Sequence, residues 1–488
     1  MRGRDYIAVP HKIDEAKVLR NLGIQAPSPI LYYYDWPGKF TPYSHQRNTA
    51  AFMTMHKKCL ILNDIGTGKT MSALWAADYL MRIGKVRKVL IVSPLSTLER
   101  VWGDAVFSSF VDRKAVVLHG SAERRKRLIT QRPDADFFVV NHDGLPVVLS
   151  HLPDDIDLII YDEAAVLRNT STQRFKVLNK WMRAHTDARL WLMTGTPTPN
   201  EPTDAYALAK LIESPAIPPT AMAFKDMVML KTSMWNWTPR ADSAHTVSRI
   251  LQPSVRFTRE ECLDLPDTVT QSRQAEMTAE QQTHYKAMMK TLVAEAAAGS
   301  ITAANEAIKA QKLVQILCGV AYGQNGQNIE IDASPRVSLL KELIDEVGGK
   351  CIVFVPLTGA LHMLEQELSK RWSVGVVNGA VSSTNRNQIF SDFQNTKKPH
   401  ILLAHPATMA HGLTLTAANS IIWYAPPTSN ETYLQANGRI ERIGKRHVSN
   451  LIHIESTPLE RRMYKRLQNK QAMQGLLLDI IQNEGERS

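Results

Sequence analysis

Apolar residues fall into short blocks along this chain. In the first half the blocks are Cys59-Leu-Ile-Leu, Val89-Leu-Ile-Val, Ala115-Val-Val-Leu, Phe137-Phe-Val-Val, Leu158-Ile-Ile-Tyr and Leu190-Trp-Leu-Met, each bounded by polar or turn residues. Near-continuous apolar strands of this length are what a parallel sheet requires when both of its faces are covered. Helical patterns between the blocks predict βα units. The second half repeats the texture with Cys351-Ile-Val-Phe-Val, Val374-Gly-Val-Val, Ile401-Leu-Leu-Ala and Ile421-Ile-Trp-Tyr. Between the first two of these, Leu361, Leu364 and Leu368 recur at helical spacing and predict one buried helix face. The expected fold class is therefore α/β, with two tandem lobes whose parallel sheets are flanked by helices.

The middle of the chain differs. Residues 201–332 hold few strand-like runs, and the alanine-rich Val293-Ala-Glu-Ala-Ala-Ala and Ala303-Ala-Asn-Glu-Ala-Ile-Lys-Ala favour helix by propensity. This span is expected to form helical insertions around an interlobe connection near Leu265-Pro266, with Ile217-Pro-Pro as an exposed bend. The predicted organisation is an N-terminal extension (1–37), a first lobe (38–200), the insertions (201–332) and a second lobe (333–488).

Composition narrows the class. Of 488 residues, 44% are apolar and 22% charged, enough core-forming material to exclude a wholly disordered chain. No stretch approaches the ~20 apolar residues of a membrane span. The start, Met1-Arg-Gly-Arg-Asp-Tyr, runs into His11-Lys-Ile-Asp-Glu-Ala-Lys without an apolar region, so no secretion signal is expected. The four cysteines, Cys59, Cys262, Cys318 and Cys351, lie far apart, which argues against a zinc module or a disulfide framework and for a reducing, cytoplasmic compartment. Lys plus Arg minus Asp plus Glu gives 58 − 47 = +11. That balance suits a polyanionic partner, but on so long a chain the motifs must decide.

Asn63-Asp-Ile-Gly66-Thr-Gly68-Lys69-Thr70 follows a strand-like run and precedes the helical Met71-Ser-Ala-Leu-Trp-Ala-Ala. This is the context of a phosphate-binding loop: the glycines let backbone N–H groups face a phosphate, and the helix N-terminus adds partial positive charge. Lys69 would reach the β- and γ-phosphates of a nucleotide, and Thr70 would ligate Mg2+. Asn63 stands where the full pattern has glycine. Asp162-Glu163-Ala164-Ala165 follows the run Leu158-Ile-Ile-Tyr161. A carboxylate at the C-terminal end of such a strand suits Mg2+ held through water, and its neighbour suits the polarisation of an attacking water.

These two motifs belong to a longer ordered series. Pro42-Tyr-Ser-His-Gln46 comes first, then Asp64 to Thr70. Val92-Ser-Pro-Leu-Ser-Thr-Leu98 with Trp102 follows, then Asp162 to Ala165, and Thr194-Gly-Thr-Pro197 with Asn200. The second half adds Asn378-Gly379 with Arg386 and Phe393, Thr408-Met-Ala-His-Gly412-Leu-Thr-Leu415, and Gln435-Ala-Asn-Gly438-Arg439-Ile-Glu-Arg442-Ile-Gly444. In order and spacing this series resembles the superfamily-two helicase and translocase ATPases, most closely the Swi/Snf-type branch that translocates on double-stranded DNA. The resemblance runs from about residue 41 to 470 and implies two tandem RecA-like lobes.

On that resemblance Gln46 contacts adenine, and Asp64, Ile65, Gly66, Thr67, Gly68, Lys69 and Thr70 cradle the phosphates of ATP. Thr70 and Asp162 serve Mg2+, while Glu163 acts on the attacking water. Arg439 and Arg442 are arginine fingers supplied by the second lobe. Their three-residue spacing puts both on one face of a helix. Ser93, Thr97 and Thr408 are implied contacts to the nucleic-acid backbone. Ala165 departs from the histidine usual in the family, and Glu441 and Lys445 depart from the Swi/Snf form of the last motif. Met277 to Tyr285, Leu313 to Cys318 and Arg256-Phe-Thr-Arg259 resemble segments that Swi/Snf members carry.

The expected function is an ATP-dependent DNA translocase or helicase acting in replication, recombination or repair. Sequence-independent binding to duplex, forked or single-stranded DNA is expected, with steep salt dependence, because backbone contacts fix register without reading bases. An RNA-dependent ATPase and a motor subunit serving a partner nuclease or remodelling complex are the alternatives. The compact chain suits a bacterial or phage-infected cell. Two basic runs, Arg124-Arg-Lys-Arg127 and Arg461-Arg-Met-Tyr-Lys-Arg466, are either phosphate-facing or merely solvated. Tyr32-Tyr-Tyr-Asp-Trp36 either stacks on adenine or packs an extension. Met234-Trp235-Asn-Trp237 either packs on its lobe or forms a wedge that stacks on bases.

Overall fold

The computed structural model describes residues 8–38, 41–198, 201–232, 237–262, 268–297, 303–322, 328–409, 415–440 and 449–469. They divide into two compact units, residues 1–263 and 264–488. All ten apolar blocks named above become strands. In unit 1 these are β1 (Lys58–Ile61), β2 (Lys88–Ser93), β3 (Ala115–Leu118), β4 (Phe137–Asn141), β5 (Ile156–Asp162) and β6 (Arg189–Met193). A small antiparallel hairpin follows, β7 (Met229–Lys231) and β8 (Trp237–Pro239), and then the short β9 (Ser254–Val255). The main sheet has the order β3-β4-β2-β5-β6-β1-β9, and all its pairs are parallel.

Successive residues of each strand feed opposite faces, the period-two geometry of a pleated strand. Leu60, Leu90, Val92, Ile159 and Leu192 join one buried cluster. Cys59, Ile61, Val89, Ile91, Ile160 and Met193 join the other, beneath helices Ser44–Met55 and Lys69–Arg82. Full burial of each such aliphatic side chain is worth about 1.5–3 kcal/mol, which is why both faces must be covered.

Unit 2 begins its sheet with β10 (Thr268–Gln274). A hairpin, β11 (Val320–Tyr322) and β12 (Asn328–Glu330), precedes β13 (Cys351–Phe354), β14 (Val374–Val377), β15 (Ile401–Ala404), β16 (Ser420–Trp423) and β17 (Ser449–Glu455). The order is β10-β17-β16-β13-β15-β14, again wholly parallel. Helix Thr358–Ser369 buries Leu361, Leu364 and Leu368, as its spacing predicts. Two α/β units with parallel sheets flanked by helices are the fold class expected from the pattern.

Residues 201–332 carry more strand than their pattern suggested. Helices Ala279–Ala297 and Ala303–Leu317 are present, but so are β7 to β12. The longest of these, β10, reads Thr-Val-Thr-Gln-Ser-Arg-Gln and is largely exposed; pairing with β17 along its whole length supplies its order.

The N-terminal segment packs inward through its later aromatics. Tyr34 donates to Asp78 Oδ2 at 2.7 Å, and Asp78 also receives Arg82 Nε and Arg113 Nε, both at 2.7 Å. Trp36 lies edge-on between Tyr34 and Trp75. Tyr32 and Tyr33 remain exposed. The aromatic run thus packs the extension onto unit 1 through Tyr34 and Trp36. No described helix is long and apolar enough to cross a membrane.

Candidate nucleotide site and nucleic-acid surface

The sheet order of unit 1 sets the site. β1, β6, β5, β2 and β4 lie side by side, so their C-terminal ends bring the Asn63–Lys69 loop, Thr194, Asp162, Ser93 and Asn141 to one edge. That edge is where ligands bind in open parallel sheets.

The loop after β1 is built as a turn that only glycine tolerates. Gly66 and Gly68 have φ of 86° and 83°, and Gly68 caps helix Lys69–Arg82 in the left-handed region. A Cβ on Gly68 would lie 2.0 Å from Gln46 Nε2. Thr67 is the hub of the turn: its hydroxyl donates to Asp64 O at 2.8 Å, and its carbonyl contacts His45 Nε2 at 2.9 Å and accepts from Gln46 Nε2 at 3.2 Å. Gln46 Oε1 also accepts from Tyr43 N at 3.0 Å. Gln46 therefore braces the Asp64–Lys69 loop from helix Ser44–Met55. Lys69 Nζ donates to Asn63 O at 2.8 Å and Asp64 O at 3.1 Å, folded back over its own loop. Thr70, the second residue of the helix, is half-buried.

Asp162 ends β5. Its Oδ2 accepts from Trp102 Nε1 at 3.2 Å, its Oδ1 from Glu163 N at 3.1 Å, and its carbonyl oxygen lies 2.9 Å from His142 Nε2. Enclosure pushes the Asp162 carboxyl up, while the nearby Lys69 ammonium, the Trp102 indole and the Glu163 amide pull it down. Glu163 adopts a left-handed φ of 51°, uncommon for a side chain with Cβ, and so turns the chain sharply at the strand end. Ala165 is buried in the short 3-10 turn that follows. His142 stacks on Tyr161 with ring centroids 5.0 Å apart, and burial holds its pKa down to about 4, so it is a neutral partner. Thr194 Oγ1 accepts from Thr196 N at 3.2 Å, closing the turn after β6.

Sequence reasoning did not single out His142, Trp102's bond to Asp162, or His45. The available signal for His142 was its place just after β4, at the ligand-bearing end of a parallel strand.

The suggested backbone-contact hydroxyls point inward. Ser93 Oγ is buried, with no hydrogen-bond partner among the described residues. Thr97 donates to Pro94 O at 2.8 Å and is buried, leaving Leu95 and Ser96 as the exposed positions of that turn. In unit 2, Thr408 donates to His405 O at 2.6 Å. Trp237 is half-buried against the unit 1 core, with Lys225 Nζ 4.3 Å from its ring centroid. Met234, Trp235, Asn200, Leu265, Pro266, Gly412, Glu441, Arg442, Gly444, Lys445 and Lys470 lie outside the described residues.

Arg439, in unit 2, is buried two residues past helix Asn430–Asn437. Its carbonyl accepts from Leu415 N at 3.0 Å. The helix is held from beneath: Trp423 Nε1 donates to Asn437 Oδ1, and Tyr433 Oη pairs with His453 Nε2, both at 2.9 Å.

A glycine-cornered loop with lysine after β1 and an Asp-Glu pair after β5 define a P-loop nucleotide hydrolase. The SNF2-related domain model matches residues 45–319 and the helicase conserved C-terminal domain model matches residues 335–444. The chain belongs to the SNF2-related family of nucleic-acid-dependent ATPases. It is 26% identical over 474 residues to protein p41 of Acyrthosiphon pisum secondary endosymbiont phage 1, covering 91% of this chain and 99% of that protein. It is 25% identical over 448 residues to chromodomain-helicase-DNA-binding protein 1-like of Mus musculus, covering 86% of this chain and 48% of that protein. The chain thus spans nearly all of the phage protein and under half the length of the mouse protein. The Sulfolobus solfataricus SWI2/SNF2 ATPase core in complex with double-stranded DNA is 20% identical, covers 89% of this chain and 92% of that chain, and has a TM-score of 0.43.

Proposed function

We propose that this chain is a DNA translocase that couples ATP hydrolysis to movement along DNA, or to its remodelling, in replication, recombination or repair. The observation that supports ATP hydrolysis, on which the reading rests, is the placement of Lys69 and Asp162 at one sheet edge, after β1 and at the end of β5. Phosphoryl transfer needs positioning and charge neutralisation more than covalent chemistry, and this pair offers both.

The residues suit the nucleotide. The loop turn leaves no room for a Cβ at Gly68, and Lys69 rests on carbonyls that a phosphate oxygen would replace as its partner. The Thr70 hydroxyl and the Asp162 carboxylate are hard oxygen donors, the set that Mg2+ prefers. Such an ion would neutralise charge on the phosphates. Glu163, at the sharp turn that follows β5, would be the carboxylate to orient water and accept its proton. Arg439 and Arg442 are the proposed arginine fingers. Gln46 would offer adenine its second amide hydrogen, the first being engaged by Thr67.

The partner is proposed to be DNA, bound through its backbone and without base readout. The net charge of +11 and the exposed basic faces support this. Steady-state ATP hydrolysis tests the reading, run without nucleic acid and then with duplex DNA, single-stranded DNA, forked DNA and RNA, with Lys69→Ala as blank. Stimulation by duplex is expected, together with a loss of about 100-fold or more in turnover for Lys69→Ala. Retained turnover in that variant would remove the assigned phosphate site. Stimulation by RNA alone would replace DNA as the partner.

A further inference from the structure

Asn63 occupies the first position of the phosphate loop, where the pattern calls for glycine, and its side chain is only 1% exposed. It does not simply fill space. Its Nδ2 donates to Thr49 Oγ1 at 2.8 Å, on the helix that carries Gln46. Its Oδ1 accepts from Phe257 N at 3.0 Å. Its carbonyl holds the Lys69 ammonium at 2.8 Å. One residue therefore touches the nucleotide-reading helix, the catalytic lysine and a segment 194 residues further on.

That segment is the way out of unit 1. Residues 253–257 run beside the loop strand: Leu60 N donates to Pro253 O, Leu62 N to Val255 O and Asp64 N to Phe257 O, at 3.0, 2.8 and 3.0 Å. The Phe257 ring centroid lies 6.1 Å from that of His45, which itself contacts Thr67 O. Past Phe257 the chain reaches residue 263, where unit 1 ends, and unit 2 opens its sheet with β10 at Thr268. A loop that shifts when it takes up a phosphate must therefore shift this segment or break both the Asn63 side-chain bond and the Asp64 backbone bond to Phe257. Glycine at position 63 would keep the ladder at Leu60, Leu62 and Asp64 but lose the side-chain clamp.

We propose that Asn63 is a positioning residue that couples the phosphate loop to the Pro253–Phe257 exit segment, transmitting nucleotide occupancy towards the second unit. This rests on the proposed reading of residues 63–70 as the ATP site.

The test is hydrogen–deuterium exchange on the full chain, with and without Mg-AMP-PNP, for wild type, Asn63→Gly and Asn63→Ser. In wild type the nucleotide should slow exchange at least tenfold in peptides covering 66–74 and 253–258. In Asn63→Gly the 66–74 peptide should still slow, while slowing at 253–258 should fall at least threefold, only the backbone ladder that ends in the Asp64–Phe257 bond remaining. Asn63→Ser, with a hydroxyl able to keep one of the two bonds, should lie between. A DNA-stimulated to basal ATPase ratio reduced at least fivefold should accompany that fall. Equal slowing at 253–258 in all three proteins would overturn the coupling, leaving Asn63 a packing residue. Absence of slowing at 66–74 in wild type would instead remove the ATP-site reading, and the coupling with it.

Discussion

Gly68 shows how tightly the loop is specified. Its φ is 83°, and a Cβ placed on it would meet Gln46 Nε2 at 2.0 Å, so backbone and neighbour both oppose any side chain there. Gly84 gives the matching contrast, since its φ is 71° but nothing lies within 4 Å of its Cβ position. Gly84→Ala should cost only backbone strain, about 1–2 kcal/mol, and leave nucleotide binding unchanged. Gly68→Ala should cost that strain and also displace Gln46, weakening nucleotide binding at least tenfold. Urea midpoints and titration with a fluorescent ATP analogue separate the two effects; equal nucleotide affinity in both variants would show that Gln46 yields without consequence. Gly66, Gly68 and Lys69 are visible in sequence because the loop's local geometry dictates them. Asn63 is visible only as a departure from a pattern, because its reason lies at Phe257, far along the chain.

At the scale of elements, the blocks with near-continuous apolar character announce their strands because both of their faces are buried. β10 does not, since Thr268-Val-Thr-Gln-Ser-Arg-Gln lies at the sheet edge and gains its order from pairing with β17 instead of from burial. The Arg336–Glu460 pair is equally silent in sequence: its members are 124 residues apart, and neither residue type signals burial. Arg336 donates to both carboxylate oxygens, to Tyr424 O and to Ile454 O, tying helix Ser334–Val347 to helix Pro458–Gln468 inside unit 2. Glu460→Ala should destabilise by about 3–5 kcal/mol because it strands a buried guanidinium, and a paired Arg336→Met, Glu460→Leu variant should recover most of the loss. Denaturant unfolding checks both, and an unrecovered double variant would mean that the pair specifies packing as well as charge. His453 makes a related statement about pH. Burial against Tyr433 and Tyr464 holds it down to about 3, while an unfolded imidazole titrates near 6.5. The unfolded state therefore binds the extra proton first. The stability tied to neutral His453 is full above pH 6.5 and falls towards pH 3, with a limiting slope of about 1.4 kcal/mol per pH unit. His453→Phe should keep the ring contacts, lose the Tyr433 bond, and flatten the acid dependence by about one proton between pH 6 and pH 4. An unchanged slope in urea titrations would show that the imidazole gains solvent access before unfolding.

For the whole molecule, charge and architecture have to be joined by the partner. A net charge of +11 alone gives no track, because most basic residues on a surface are solvated or paired, as Arg461 is with Glu455 Oε1 at 2.8 Å. On helix Pro458–Gln468, Leu459, Met463, Tyr464, Leu467 and the Arg336-paired Glu460 face the core, while Arg461 and Lys465 are exposed and Arg462 is half-buried. Helix Ala122–Gln131 is less uniform, since Arg125 turns to Asn141 Oδ1 at 3.0 Å and Lys126 pairs with Glu123. The proposed backbone track should therefore use the first helix more than the second. Each phosphate contact releases counterions and adds about 0.9 to the slope of log affinity against log salt on duplex DNA. Arg462→Ala with Lys465→Ala should lower that slope by about 1–2, reduce duplex stimulation of ATP hydrolysis at moderate salt, and leave basal hydrolysis unchanged. Arg124→Ala with Arg127→Ala should lower the slope by less. Affinity titrations on random-sequence duplex at several salt concentrations decide this: a loss confined to one DNA sequence would contradict backbone recognition, and an unchanged slope would make the Pro458–Gln468 face a solvated one, leaving the track to other surfaces.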